Sequence, residues 1–131
     1  MSSSAEIIYH FYYKAMKIID WQFLSCSPPI VDFCSLTLQN CHPNIVIPNL
    51  ERFYHVYYQT FCQSCQAVGI AKPPFLLQDF IHQIETVGFA MTFTSIMFMF
   101  HHYAERDPIV HDLRMQWLIK KCLRHLPTFF Q

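Results

Sequence analysis

Two aspartates at the ends of apolar runs are the residues best placed for chemistry. Lys17-Ile18-Ile19-Asp20-Trp21-Gln22-Phe23 is followed by Pro29-Ile30-Val31-Asp32-Phe33. An apolar strand that delivers Asp20 at its end sets the carboxylate at the rim of a sheet. There, as a hard oxygen ligand, it can hold Mg²⁺ against a phosphate. Asp32, twelve residues on and in the first turn of a short helix, complements the helix dipole and can brace a neighbouring loop. The plainer reading of each is a turn or cap residue.

The remaining chemistry-bearing residues carry weaker patterns. Cys62 and Cys65 fall three apart on one helix, but a structural zinc site wants four ligands, and no second CxxC or HxxxH accompanies them. His101-His102 sits at the wet end of an apolar helix, and His55, His82 and His111 read as surface or interhelical hydrogen-bonders. Phe53, Tyr54, Tyr57 and Phe61 form an apolar stripe that is most simply core. Arg114, Lys120, Lys121 and Arg124 make a solvated basic face near a helix C-terminus.

The elements that must position these residues follow from period and breakers. Ile7 to Tyr13 and Lys17 to Phe23 read as two short strands of a hairpin, and Ser27-Pro28-Pro29 breaks the chain. Asp32 opens a short helix through Leu38, and Cys41 to Pro48 is a loop bounded by prolines. Apolar residues at helical spacing predict a helix over 49–68 that ends at Gly69. A second helix over 78–103 turns apolar nearly all round, which marks it as central and buried. After a turn at Glu105-Arg106-Asp107-Pro108, a third spans 110–126, with Leu113, Trp117, Leu118, Cys122 and Leu126 inward and Pro127 as its stop.

Composition narrows the classes. The chain has 131 residues, 53% hydrophobic and 14% charged, with zero formal net charge. Such a chain is too apolar to stay solvated as a disordered segment. It also lacks the basic excess that nucleic-acid binding requires. No basic n-region precedes an apolar run, so no secretory signal is expected, and the six cysteines read as reduced thiols of a cytoplasmic protein. The longest apolar run, Val87 to Phe100, is shorter than the ~20 residues of a membrane span, so no transmembrane segment is expected.

The two-aspartate element resembles the metal-binding segment of the choline kinase and aminoglycoside phosphotransferase group, and within it the CHK kinase-like, or ecdysteroid kinase-like, proteins. There a hydrophobic strand leads to Asp-Phe/Trp-Gln, then a linker with Pro, then Asp-Leu/Phe entering a helix. Ile18-Ile19-Asp20-Trp21-Gln22 and Pro29-Ile30-Val31-Asp32-Phe33 match in type and spacing. Leu50 to Cys65 and Phe80 to Phe93 are similar in order and character to the family's next helices, so the resemblance spans about residues 15–126.

The resemblance implies a mainly α fold: the helical C-terminal lobe of a protein-kinase-like phosphotransferase, opened by a short β hairpin. It makes residues 1–131 a partial domain with 1–14 as a degenerate or non-family start. It implies Asp20 as ligand of Mg²⁺ on ATP, Trp21 and Gln22 fixing the turn, and Asp32 bracing the catalytic loop. The family activity it implies is ATP-dependent phosphorylation of a small-molecule hydroxyl, on a steroid or a choline-like alcohol. Departures are equally plain. No phosphate-cradling lobe and no His-Gly-Asp…Asn loop precede Asp20; only Tyr9-His10-Phe11-Tyr12-Tyr13 leads to Lys14. The expectation is therefore a truncated, inactive member that meets a missing N-terminal lobe or a hydrophobic protein partner, with an apolar patch around Phe11, Tyr13 and Trp21. The alternatives are a non-catalytic helical interaction module and a membrane-peripheral or lipid-binding protein.

Overall fold

A computed structural model describes residues 26–129, with side chains through His125. The hairpin expected over 7–23, and the apolar patch around Phe11, Tyr13 and Trp21, lie outside the described residues. Among the described residues every regular element is a helix and there is no strand. This bears out a mainly α class.

Helix α1 spans Pro29–Phe33, with Asp32 in its first turn, and widens into a π-helical stretch over Cys34–Gln39. Polar side chains of the stretch bond back to nearby carbonyls. The Thr37 hydroxyl donates to the Phe33 carbonyl, and Asn40 Nδ2 donates to the Ser35 carbonyl at 2.5 Å. Helix α2, Pro43–Ala67, starts six residues before its expected onset. The expected loop over Cys41 to Pro48 shrinks to Cys41 and His42. Pro43 is a helix starter, because the first-turn N–H that proline lacks has no acceptor anyway. His42 Nδ1 caps the same turn by accepting from the Asn44 N–H at 3.2 Å. Pro48 is absorbed inside the helix by a kink at Asn49 (φ −118°, ψ 15°). Gly69 ends the helix as expected, at φ 87°, with the Ile70 N–H closing onto the Cys65 carbonyl at 2.8 Å.

The expected second helix divides into two, a continuous run over Leu77–Phe98 and a separate helix over Phe100–Arg106. Helix α3 spans Leu77–Gln83, capped by Asp79 Oδ2 accepting from the Leu76 N–H at 3.1 Å. A second π-helical stretch, Ile84–Gly88, leads into α4, Phe89–Phe98. Met99 (φ −108°, ψ 28°) then breaks the run, and α5, Phe100–Arg106, departs at 82°. The all-round apolar character therefore does not denote burial along its whole length. Phe89, Thr92 and Ile96 are buried, but Met97 and Met99 are exposed and Phe98 is 93% exposed. The expected turn over 105–108 reduces to Asp107, whose Oδ1 accepts from the Val110 N–H at 3.1 Å to cap α6, Pro108–Phe129. Pro127 does not stop this helix.

The inward face of α6 is also rotated from its expected position. His111, Arg114, Met115 and Leu118 are buried, at i, i+3, i+4 and i+7, whereas Leu113 is 37% exposed. Arg114 thus moves from the expected solvated face to the interior.

Helix α4 lies at the centre, packed on α6 along one side and on the first π-helical stretch along the other. The close crossing uses Gly88: a Cβ there would lie 2.8 Å from Cys34 Sγ. One core cluster joins Ile30, Phe33 and Leu38 to Val46 and Tyr54 of α2, Phe80 and Ile84, Phe89 and Ile96, and Leu118 of α6. All six cysteines are free thiols.

Candidate functional site

Asp20, Trp21 and Gln22 lie outside the described residues. Asp32 is exposed and accepts no hydrogen bond from any described residue. What fixes its position is its neighbour. Phe33 is 1% exposed, its ring 5.3 Å from Tyr54, 5.7 Å from Tyr57 and 5.5 Å from Phe80, the last two edge-on. Tyr57 stacks on Phe80 at 5.2 Å, and its hydroxyl donates to the Pro29 carbonyl at 3.2 Å. The entry to α1 is therefore pinned to α2 by one ring and one hydrogen bond, and Asp32 is held on the surface beside them. Burial, with the Asp32 charge adding to it, raises the Tyr57 phenol pKa, so this hydroxyl stays a donor at neutral pH.

The aromatic stripe of α2 serves as core here. Tyr54 is buried, while Phe53, Tyr57 and Phe61 are half-buried and Phe61 packs on Phe75 at 4.9 Å. Cys65 is buried and Cys62 half-buried, and no group of three or more His, Cys, Asp or Glu gathers among the described residues to hold a metal. His55, His82, His101 and His102 are exposed. Lys120 and Arg124 are exposed as expected, and Lys121 lies over the rings of Phe89 (5.6 Å) and Trp117 (5.8 Å). His111 is the exception among the histidines: it is 3% exposed, edge-on to Phe100 at 5.1 Å, with no partner for Nδ1.

The sequence patterns missed a polar cleft of about 220 Å³ where the end of the first π-helical stretch meets α5 and α6. Gln39, Asn40, His42, Tyr103, Arg106, Asp107, Val110 and Arg114 line it. Gln39 Nε2 donates to the Tyr103 hydroxyl at 2.7 Å, and Arg114 Nη2 donates to the Cys41 carbonyl at 2.8 Å. Arg114 Nε has no partner, and burial pulls the guanidinium pKa below its ordinary value. The signal that could have found it was the second possible stripe on α6, through 111, 114, 115 and 118. Choosing the stripe with more apolar residues put Arg114 outside.

Nothing among curated proteins or solved structures matches the chain. Residues 9–70, which include both aspartates and the whole of α1 and α2, match the family model of the ecdysteroid kinase-like family, and over that segment the chain is similar to that family, as the two-aspartate element led us to expect.

Proposed function

We propose that the protein is an ecdysteroid kinase-like chain whose described helices form the helical lobe of a kinase-like phosphotransferase. The family match across Asp20 and Asp32 carries this reading. The pinning of the Pro29–Phe33 turn supports it, since a rigid element directly after the metal-binding segment is what such a site requires. Asp20 is the proposed ligand for Mg²⁺ bound to ATP phosphates, with Trp21 and Gln22 fixing its turn and Asp32 bracing the loop beside it. No cluster of described residues offers a rival metal site. The acceptor class is a small-molecule hydroxyl, on a steroid or a choline-like alcohol. Phosphoryl transfer needs several groups acting at once, and the 131 residues hold no His-Gly-Asp loop before Asp20. The property to test on this chain is therefore MgATP binding. Calorimetric titration of the full chain with MgATP is expected to give weak, saturable heat that Asp20→Asn removes. No heat, or equal heat from the variant, would defeat the metal-site reading.

The apolar corner between α4 and α5 favours a second reading, a helical module for a hydrophobic partner or a lipid surface. Met97, Phe98, Met99 and Phe100 are consecutive and exposed. No single helix among the described residues is long and apolar enough to cross a membrane, but the bent pair Leu77–Phe98 and Phe100–Arg106 is by length and composition. Co-sedimentation with phosphatidylcholine vesicles, reduced by Phe98→Ser, is the result expected on this reading. A vesicle pellet free of protein would remove its lipid form.

A further inference from the structure

We infer that the cleft around Arg114 is a binding site for a small oxyanion, the carboxylate or phosphate group of a low-molecular-weight ligand. A guanidinium stays charged when buried, so 6% exposure leaves a cation whose remaining N–H donors call for acceptors. The Cys41 carbonyl takes one of them at Nη2; Nε has none and is enclosed by the fold, so a ligand in the cleft meets the guanidinium through its charge and its outer N–H groups. No carboxylate forms an ion pair with it among the described residues; Asp107, on the same cleft, spends Oδ1 on the Val110 N–H.

Apart from the Asp107 carboxylate, whose charge acts on Arg114, the other walls are suited to the same ligand. Arg106 adds a second cation at the rim, and Tyr103, whose oxygen already accepts from Gln39, retains its own O–H proton to donate. His42 stands beside them, its Nδ1 occupied by the Asn44 N–H. The forked donors of arginine match the paired oxygens of carboxylate and phosphate, which a spherical halide cannot offer. A volume of about 220 Å³ lies below the ~300–1,000 Å³ of drug-sized pockets, which limits the ligand to a small molecule. Asp32 is not among the described residues that line this site, and the inference does not depend on the nucleotide reading.

The test is a melting titration of the full chain with inorganic phosphate and, separately, acetate, against sodium chloride at matched ionic strength. A saturable rise in melting temperature with either oxyanion and none with chloride is expected. A response to phosphate alone or to acetate alone supports the site and names the group. Arg106→Gln, a change at an exposed residue, is expected to weaken the midpoint roughly threefold. Arg114→Lys, which keeps the charge and loses the fork, is expected to weaken it by about tenfold or more. Oxyanions that act only as chloride does would overturn the inference, as would unchanged midpoints in both variants. Loss of the response in Asp20→Asn would also overturn it, by assigning the ion to the metal-binding segment, whereas an unchanged response there supports the Arg114 cleft.

Discussion

Replacing Phe33 by alanine is expected to lower the unfolding free energy by about 3–5 kcal/mol, the range for removing a fully enclosed aromatic ring. Three features place it at the upper part of that range. The ring is 1% exposed, so nearly all its transfer free energy is lost on truncation. It touches Tyr54, Tyr57 and Phe80, which come from two other helices, so the cavity opens where α1, α2 and α3 converge. Its neighbours are themselves locked, Tyr57 by the Pro29 carbonyl and by stacking on Phe80, and cannot easily collapse into the space. Phe33→Leu keeps most of the volume and is expected to cost less than half as much. Urea denaturation followed by far-ultraviolet circular dichroism measures both. A loss below about 1 kcal/mol for alanine would mean that the α1 entry is not anchored as described.

Stability is also expected to fall steeply between pH 9 and 11, because burial holds core thiols and phenols in their neutral forms. Burial pushes the Cys34 thiol from 9.0 up to about 11, partly offset by its contact with the Thr92 hydroxyl. Within that window the unfolded chain has released the proton and the folded chain retains it. The unfolded state then binds fewer protons, so unfolding becomes easier as pH rises. A two-unit difference corresponds to a loss of order 2–3 kcal/mol for Cys34 alone, present in full below pH 9 and lost through pH 11. Tyr54 moves in the same direction, by burial first and then by the nearby Glu85, Cys34 and Glu51, and extends the loss to higher pH. Cys41 and Cys122, shifted upward by burial as well, add smaller contributions. Unfolding free energies measured at half-unit steps from pH 8 to 11 check the slope. Cys34→Ala is expected to flatten its lower part. A flat profile up to pH 10.5 would contradict the buried thiol, as would alkylation of Cys34 at pH 8 as fast as that of exposed Cys26.

Both predictions depend on packing that the sequence did not show, Phe33 being marked there only as part of the two-aspartate element and Cys34 only as one of six thiols. Helix α2 was legible in its stripe and in its Gly69 terminus, but its start was not. Proline reads as a breaker unless the structure shows which N–H groups lack acceptors: at Pro43 none is lost, and at Pro48 the Asn49 kink accommodates the loss. The run from Val87 to Phe100 was legible as helix and misleading as core. Hydropathy records transfer preference, and only packing tells whether a neighbour is present; Ile96 is fully enclosed, whereas Phe98 is left 93% exposed.

The local code by itself determined the helical class, the limits set by Gly69 and Asp79, and the two-aspartate element within the segment similar to the ecdysteroid kinase-like family, because caps, periods and short motifs are properties of neighbouring residues. Tertiary structure alone decided which stripe of α6 faces inward. Two stripes competed on one helix, and the choice fell to contacts with the central α4 and with the Cys41 carbonyl, 73 residues away from Arg114 in the chain. That long-range hydrogen bond turned a residue expected in solvent into the floor of a cleft. No periodicity encodes it, since its energy exists only when both segments have folded together.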